Sequence, residues 1–461
     1  MDRKRATIVF SIIAVAAIAG ASIPLDYSEL ISSPDPSANG SVLSPIQENN
    51  NNASGNNDNS TSTASEGNFR VIEDPSLPQV NDANLRVEKV IEGMDLPTSM
   101  AFLDNDDLLI LQKDNGIVRH VSNGTLLQGG VLELIVDNED ERGLLGIAVS
   151  NEADSSGTRT VFLYYTESAD GEEVRNRVYR YDWTGSVNLS GETLVLDLPG
   201  TPGPNHDGGK LIMGPDGMLY AVIGDLNRDG KLQNIPDGGA PDDTSVILRV
   251  DHEGNAPGDG NNSVLSDSDA QVSDSLSRYY AYGIRNSFGI AFDPVTGALW
   301  DTENGPDQYD EINVVEPGFN SGWDQVMGPI ERTDKTIDNL VQFNGSQYAD
   351  PVFSWLISEG ITDIEFLNST RLGDRYTNNI FVGSVNNGNL YFFTVNDDRT
   401  GLTLDGSSGL ADFVADNTAE LSAVTFGTGF GEITDIETGP DGYLYILSLN
   451  GSLYRIVPAT S

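Results

Sequence analysis

GPDGMLYAVIGD at Gly214 to Asp225 and GPDGYLYILSLN at Gly439 to Asn450 are two copies of one unit, a Pro-Asp-Gly turn running into an apolar strand. FLDNDDLLILQKDNGIVRHV from Phe102 and FDPVTGALWDTENG from Phe292 are looser copies. The Asp-Gly pair supplies the positive backbone angle that a tight hairpin turn needs. Hairpins that recur along a chain with little helical periodicity point to radial repetition, in which blades of four short strands surround a central channel. A sandwich pair or a β-helix is the competing reading of generic hairpins. The wide recurrence of the turns favours the propeller, and roughly six blades fit the length, within the range of about 4 to 8 that propellers adopt. The expected fold is an all-β, six-bladed β-propeller, closed by the last strand, SLYRIVPA.

Composition agrees with that class and narrows the partners. With 49 Gly and 21 Pro, the chain is rich in turns. Its 70 acidic and 25 basic residues give a formal charge of -45, a surface that repels phosphate backbones, so nucleic acid is excluded as a partner. Abundant Asp and Glu suit calcium, which prefers hard oxygen ligands. The absence of cysteine rules out disulfides and thiolate metal sites.

The N-terminus is read separately. Residues 1–28 open with Arg3, Lys4 and Arg5, followed by an apolar run over residues 6–23. This is a signal peptide or a membrane anchor: Ala19-Gly20-Ala21 offers a cleavage pattern, and the run is nearly long enough to stay in a bilayer. Either outcome puts the rest of the chain outside the cell or on its surface, attached to the membrane if the anchor is retained. Residues 29–79 are rich in Ser and Asn and are expected to form a flexible linker. The propeller is then assigned to residues 80–461.

Three stretches carry chemistry. His206, one of three histidines, lies in PNHDGG between strands. An imidazole there is either an exposed loop side chain or a proton acceptor oriented by a neighbouring carboxylate or amide. His120 and His252 receive no role. Arg285-Asn286 precede a hairpin, where a guanidinium serves either a surface ion pair or an anionic or carbonyl-bearing ligand. Glu303 to Glu311, ENGPDQYDE, packs oxygen donors around a Gly-Pro turn and reads as a calcium turn or a solvated acidic loop. Asp225 to Gly230 opens like a calcium loop, D-x-N-x-D-G, but Pro236 stands at the twelfth position, so only a lone calcium-binding turn remains open.

These stretches, with LPTSMAF at Leu96, ERGLLGIAV at Glu141, NHDGGKLIMGPDGMLY at Asn205, YGIRNSFGIAF at Tyr282 and GW at Gly322-Trp323, occur in one order. In that order the sequence resembles the soluble quinoprotein glucose dehydrogenases and aldose sugar dehydrogenases, propellers that use pyrroloquinoline quinone (PQQ). The resemblance implies an exported PQQ-dependent enzyme oxidising an aldose sugar or another small alcohol, with His206 as general base and an electron acceptor of unassigned class. It implies catalytic contacts to the quinone from Arg285 and Asn286, cofactor positions at Glu141 and Asn205, and calcium held at Gly305 and Pro306. Asp310 and Glu311 match positions of a further calcium in some relatives. The same alignment puts Asn386 where the family has a lysine, and Glu432 and Thr434 where it has an Arg-x-Arg pair, so Asn386 and Thr434 are expected to face a cofactor without its cationic clamp. The competing function is a non-catalytic, calcium-containing surface propeller that has lost quinone binding and binds glycan or protein.

Overall fold

The computed structural model describes residues 68–459 except 151–152, 169–172, 186–187, 259–264, 405 and 407–408. The expected signal or anchor, and the linker as far as residue 67, lie outside the described residues. Among those described, no helix is long and apolar enough to cross a membrane.

The repeated unit is a hairpin whose aspartate braces its own turn. Gly217 (φ +76) donates its N–H to Gly214 at 2.9 Å, and Asp216 accepts the N–H of Met218, the Tyr220 hydroxyl and Arg249 Nε. The second copy repeats this arrangement: Gly442 has φ +83, and Asp441 accepts the N–H of Tyr443 and the Tyr445 hydroxyl. Each Asp thus secures the turn and the tyrosine two residues into the strand that follows it.

The described strands form six sheets, antiparallel apart from short parallel edge additions. Their innermost strands are Pro97–Asp104, Leu144–Val149, Leu211–Met213, Ser287–Phe292, Ile361–Phe366 and Ile433–Thr438, and each packs against the next, with the last packing against the first. This closed cycle defines a β-propeller. As expected from the last strand, Ser452–Pro458 closes the ring, pairing antiparallel with Leu85–Ile91 from the other end of the domain. Apolar side chains fill the spaces between sheets; Leu108, Ile110, Tyr445 and Leu447 form part of one such layer. Two short helices, Ala270–Leu276 and Thr418–Val424, sit in loops and are capped by Asp269 and Asn417.

Polar contacts hold the channel wall together. Lys210 Nζ, nearly buried, lies 2.9 Å from Asp363 Oδ2 and 2.5 Å from Asp435 Oδ1. Asp435 also accepts the N–H of Met100 at 2.6 Å, and Asp363 accepts that of Ile436 at 2.9 Å. One ammonium therefore links inner strands that are far apart in sequence.

The fold begins earlier than composition indicated. Within the stretch assigned to the linker, Phe69 is buried with its ring centroid 5.6 Å from that of Tyr445, Ile72 donates to Lys89 O, and Gln79–Val80 pairs with Thr425–Thr428. A polar window average hides one large aromatic side chain, whose burial adds to the backbone pairing that holds the segment down. We expect Phe69→Ala to lower the unfolding free energy by about 3 kcal/mol in urea titrations; a change below about 0.5 kcal/mol would show that the segment adds nothing to the core.

Candidate active site

In an antiparallel hairpin, the loop entering the first strand lies beside the loop leaving the second. His206 enters Leu211–Met213 and Asp225 leaves Leu219–Ile223, so the two meet although they are 19 positions apart. His206 Nδ1 is 2.6 Å from Asp225 Oδ1. The other carboxylate oxygen, Oδ2, accepts Trp323 Nε1–H at 2.6 Å, and Oδ1 also accepts the N–H of Asn227. The carboxylate fixes the ring and leaves Nε2 as the nitrogen available for chemistry. Asp225 therefore orients a histidine, with both of its oxygens accepting from protein donors.

The same logic gathers the other loops at this mouth. Glu141 enters Leu144–Val149, and its Oε2 accepts the N–H of His206 at 2.7 Å and Asn286 Nδ2 at 3.1 Å. Glu141 is thus a brace between three loops. His206 has φ +67, a left-handed conformation that costs a side-chain-bearing residue roughly 1–2 kcal/mol, and the Glu141 bond helps to hold it. Asn205 is half-buried beside it.

Arg285 and Asn286 enter Ser287–Phe292. The Arg285 N–H donates to Glu303 Oε1 at 2.7 Å, Nη1 donates to Asn304 O at 2.9 Å, and the guanidinium lies 5.2 Å from the Trp323 ring centroid. Arg285 Nε and Asn286 Oδ1 are buried and unpartnered. Burial lowers Arg285 from its ordinary pKa, and the carboxylates of Asp225, Glu141 and Glu303 oppose that shift. The carboxyl of Glu303 is itself pushed up to about 7, chiefly by burial.

The calcium residues do not converge as one set. Neighbouring residues on a strand face opposite sides, and in Asp310–Val315 the first two diverge accordingly. Asp310 accepts the N–H of Gly305 at 3.0 Å and those of Glu359 and Gly360 at 2.7 Å each, so it braces the turn from behind. Glu311 accepts from Gly328 N–H and Asn313 Nδ2. Both carboxylates accept from protein donors. Among the described residues no three Asp, Glu or His side chains form a metal shell. The turn itself is tight: a Cβ on Gly305 would collide with the carbonyl oxygens of Gln308 and Tyr309, so glycine is required there.

Residues 94–455 match the Glucose / Sorbosone dehydrogenase family. The chain belongs to that family. The aldose sugar dehydrogenase of Escherichia coli is 26% identical over 389 residues, covering 82% of this chain and 94% of that protein. A Thermus thermophilus protein solved as an oxidoreductase of the glucose dehydrogenase type superposes with TM-score 0.63 at 26% identity, over 81% of this chain and 100% of that one. The PQQ-bound aldose sugar dehydrogenase of Streptomyces coelicolor, at 22% identity and TM-score 0.57 over 82% of this chain and 99% of that one, shares the fold.

Against this member of the glucose/sorbosone dehydrogenase family, PQQ fits at one end only. The unpartnered Arg285 Nε offers a donor to a quinone carbonyl. The three carboxylates of PQQ find no such match. Thr434, expected at the cofactor, instead donates its hydroxyl to Pro97 O at 3.0 Å and so joins two sheets. Asn386 is exposed and stands against Gly360, where a Cβ would approach its Nδ2 to 2.6 Å.

Sequence reasoning missed Asp225 and Trp323 as partners of His206 and Arg285. The hairpin between His206 and Asp225 was a usable signal; no signal in the sequence joins Trp323 to Asp225, 98 positions away. It also missed Asp207, which is buried, with Oδ1 accepting Asn176 Nδ2 at 2.8 Å and Oδ2 unpartnered. Burial raises its pKa from 3.8 to about 7. The folded form keeps a proton that the unfolded chain releases above about pH 4, so stability from this group falls as pH rises to about 7 and is level beyond. Asp207→Asn should flatten the decline in urea midpoint between about pH 4 and pH 7 and stabilise the protein at pH 8 by on the order of 3 kcal/mol. An unchanged slope would mean that Asp207 ionises freely in the folded state.

Proposed function

We propose that the protein is a sugar dehydrogenase in which His206 is the general base, and the observation that carries this is the 2.6 Å contact between His206 Nδ1 and Asp225. Family membership supplies the reaction class. The hydroxyl at the anomeric carbon of an aldose loses its proton to His206 Nε2. The carbon-bound hydrogen leaves as hydride to a two-electron acceptor lying against Arg285 and Asn286, and the sugar becomes a lactone. Asp225 stabilises the imidazolium that forms, and general-base assistance of this kind contributes about 10²–10⁴-fold. Arg285 offers positive charge where negative charge grows on the acceptor. Calcium at the carbonyls of Gly305 and Pro306 would add to that charge. The basic-then-apolar N-terminus supports export, with the enzyme acting outside the cell or at its surface.

An electron-transfer dye assay with glucose and other aldoses, in calcium and with an added quinone, tests this reading. His206→Ala should abolish oxidation, and Asp225→Asn should lower kcat roughly 10²–10⁴-fold while moving the acidic limb of the pH profile. Oxidation by His206→Ala at the parent rate would sink the mechanism.

A further inference from the structure

The mouth that holds His206 and Arg285 also carries carboxylates contributed by other inner strands. Glu359 and Glu432 enter the inner strands Ile361–Phe366 and Ile433–Thr438, so both carboxylates belong to this end of the ring. Glu432 is exposed, and Asn387 donates its amide to Glu359. Glu141 adds a third carboxylate beside His206. Cations that enter or leave strands at this end are held by carboxylates: Lys113 by Asp114 at 2.9 Å, Arg142 by Glu139 at 3.4 Å and Asp137 at 3.7 Å, Arg175 by Asp197 at 3.0 Å, Lys210 by Asp363 at 2.9 Å and Asp435 at 2.5 Å, and Arg228 by Asp242 at 2.6 Å. Arg285, like Arg142, carries an unpartnered Nε donor, and Arg285 lies at the reacting end.

A ligand with three carboxylates would set its negative groups against Glu359 and Glu432 without cations to meet them. A planar dicarbonyl without carboxylates meets no such repulsion, and it can still use the Arg285 guanidinium and the aromatic face of Trp323. Taking the dehydrogenase reading as given, we infer that the acceptor pocket discriminates against a tricarboxylate quinone and is suited to a quinone bearing no carboxylates. Asn386, Glu359 and Glu432 set that preference. Like-charge repulsion also fixes the sign of the salt response: screening weakens repulsion as well as attraction, so added salt should improve binding of a tricarboxylate here, where a cationic pocket would lose affinity.

The test is quenching of tryptophan fluorescence in the calcium-loaded full chain, titrated separately with PQQ and with 9,10-phenanthrenequinone, at about 50 mM and about 500 mM salt. Phenanthrenequinone should bind the parent, and PQQ should bind it weakly, with affinity rising at the higher salt. The exposed-site double variant Asn386→Lys/Glu432→Arg should bind PQQ roughly 100-fold more tightly than the parent and reverse the salt response. Tight binding of PQQ to the parent, weakened by salt, would overturn the inference while leaving the dehydrogenase reading intact. Failure of the folded parent to bind phenanthrenequinone would also overturn it. If sugar oxidation were then absent with every quinone tried, the dehydrogenase reading would fall as well.

Discussion

Lys210 sits where the chain can least afford an unpaired charge, within the wall of the central channel. Removing an ammonium from water is tolerable only when good geometry and further hydrogen bonds compensate, and Asp363 and Asp435 provide that compensation. Both carboxylates also accept backbone N–H groups, from Ile436 and Met100, so the ion cluster is continuous with the strands around it. Lys210 lies four residues beyond His206. The loop that presents the candidate base is therefore fastened by the same cluster that joins the inner strands.

Around that frame, carboxylates do much of the bracing that apolar packing does between sheets. Glu141, Glu303 and Asp310 each accept backbone N–H groups from loops at the channel mouth, fixing His206, Arg285 and the Gly305 turn respectively. Burial raises Glu303 to about 7 and Asp310 to about 6, while the N–H groups that they accept oppose the shift. The strongly acidic composition thus reaches beyond the surface and into the loops that position the site.

The chemistry separates into two halves of unequal completeness. The proton-accepting half is well organised, with Asp225 serving both His206 and Trp323 and with Arg285 stacked beside the indole. The half that would grip an anionic cofactor has been given over to other contacts: Thr434 bonds across sheets, and Asn387 binds Glu359.

The hairpin class, the propeller architecture and closure by the final strand were legible in the sequence, since the Asp-Gly turn and the alternation of apolar strands are local properties. His206, Arg285 and Asn286 were legible because they stand in unusual loop positions and in motifs of fixed order. Phe69 was not, because a single buried ring is lost in a polar average. Nor was the divergence of Asp310 and Glu311, which depends on the face to which each strand position points. The sequence by itself determined which turns and strands form and which rare side chains lie in loops. Only the tertiary structure decided that Asp225 orients His206, that Trp323 joins Asp225 to Arg285, and that the Thr434 hydroxyl bonds to Pro97, because those outcomes depend on which ends of distant hairpins ring closure brings together.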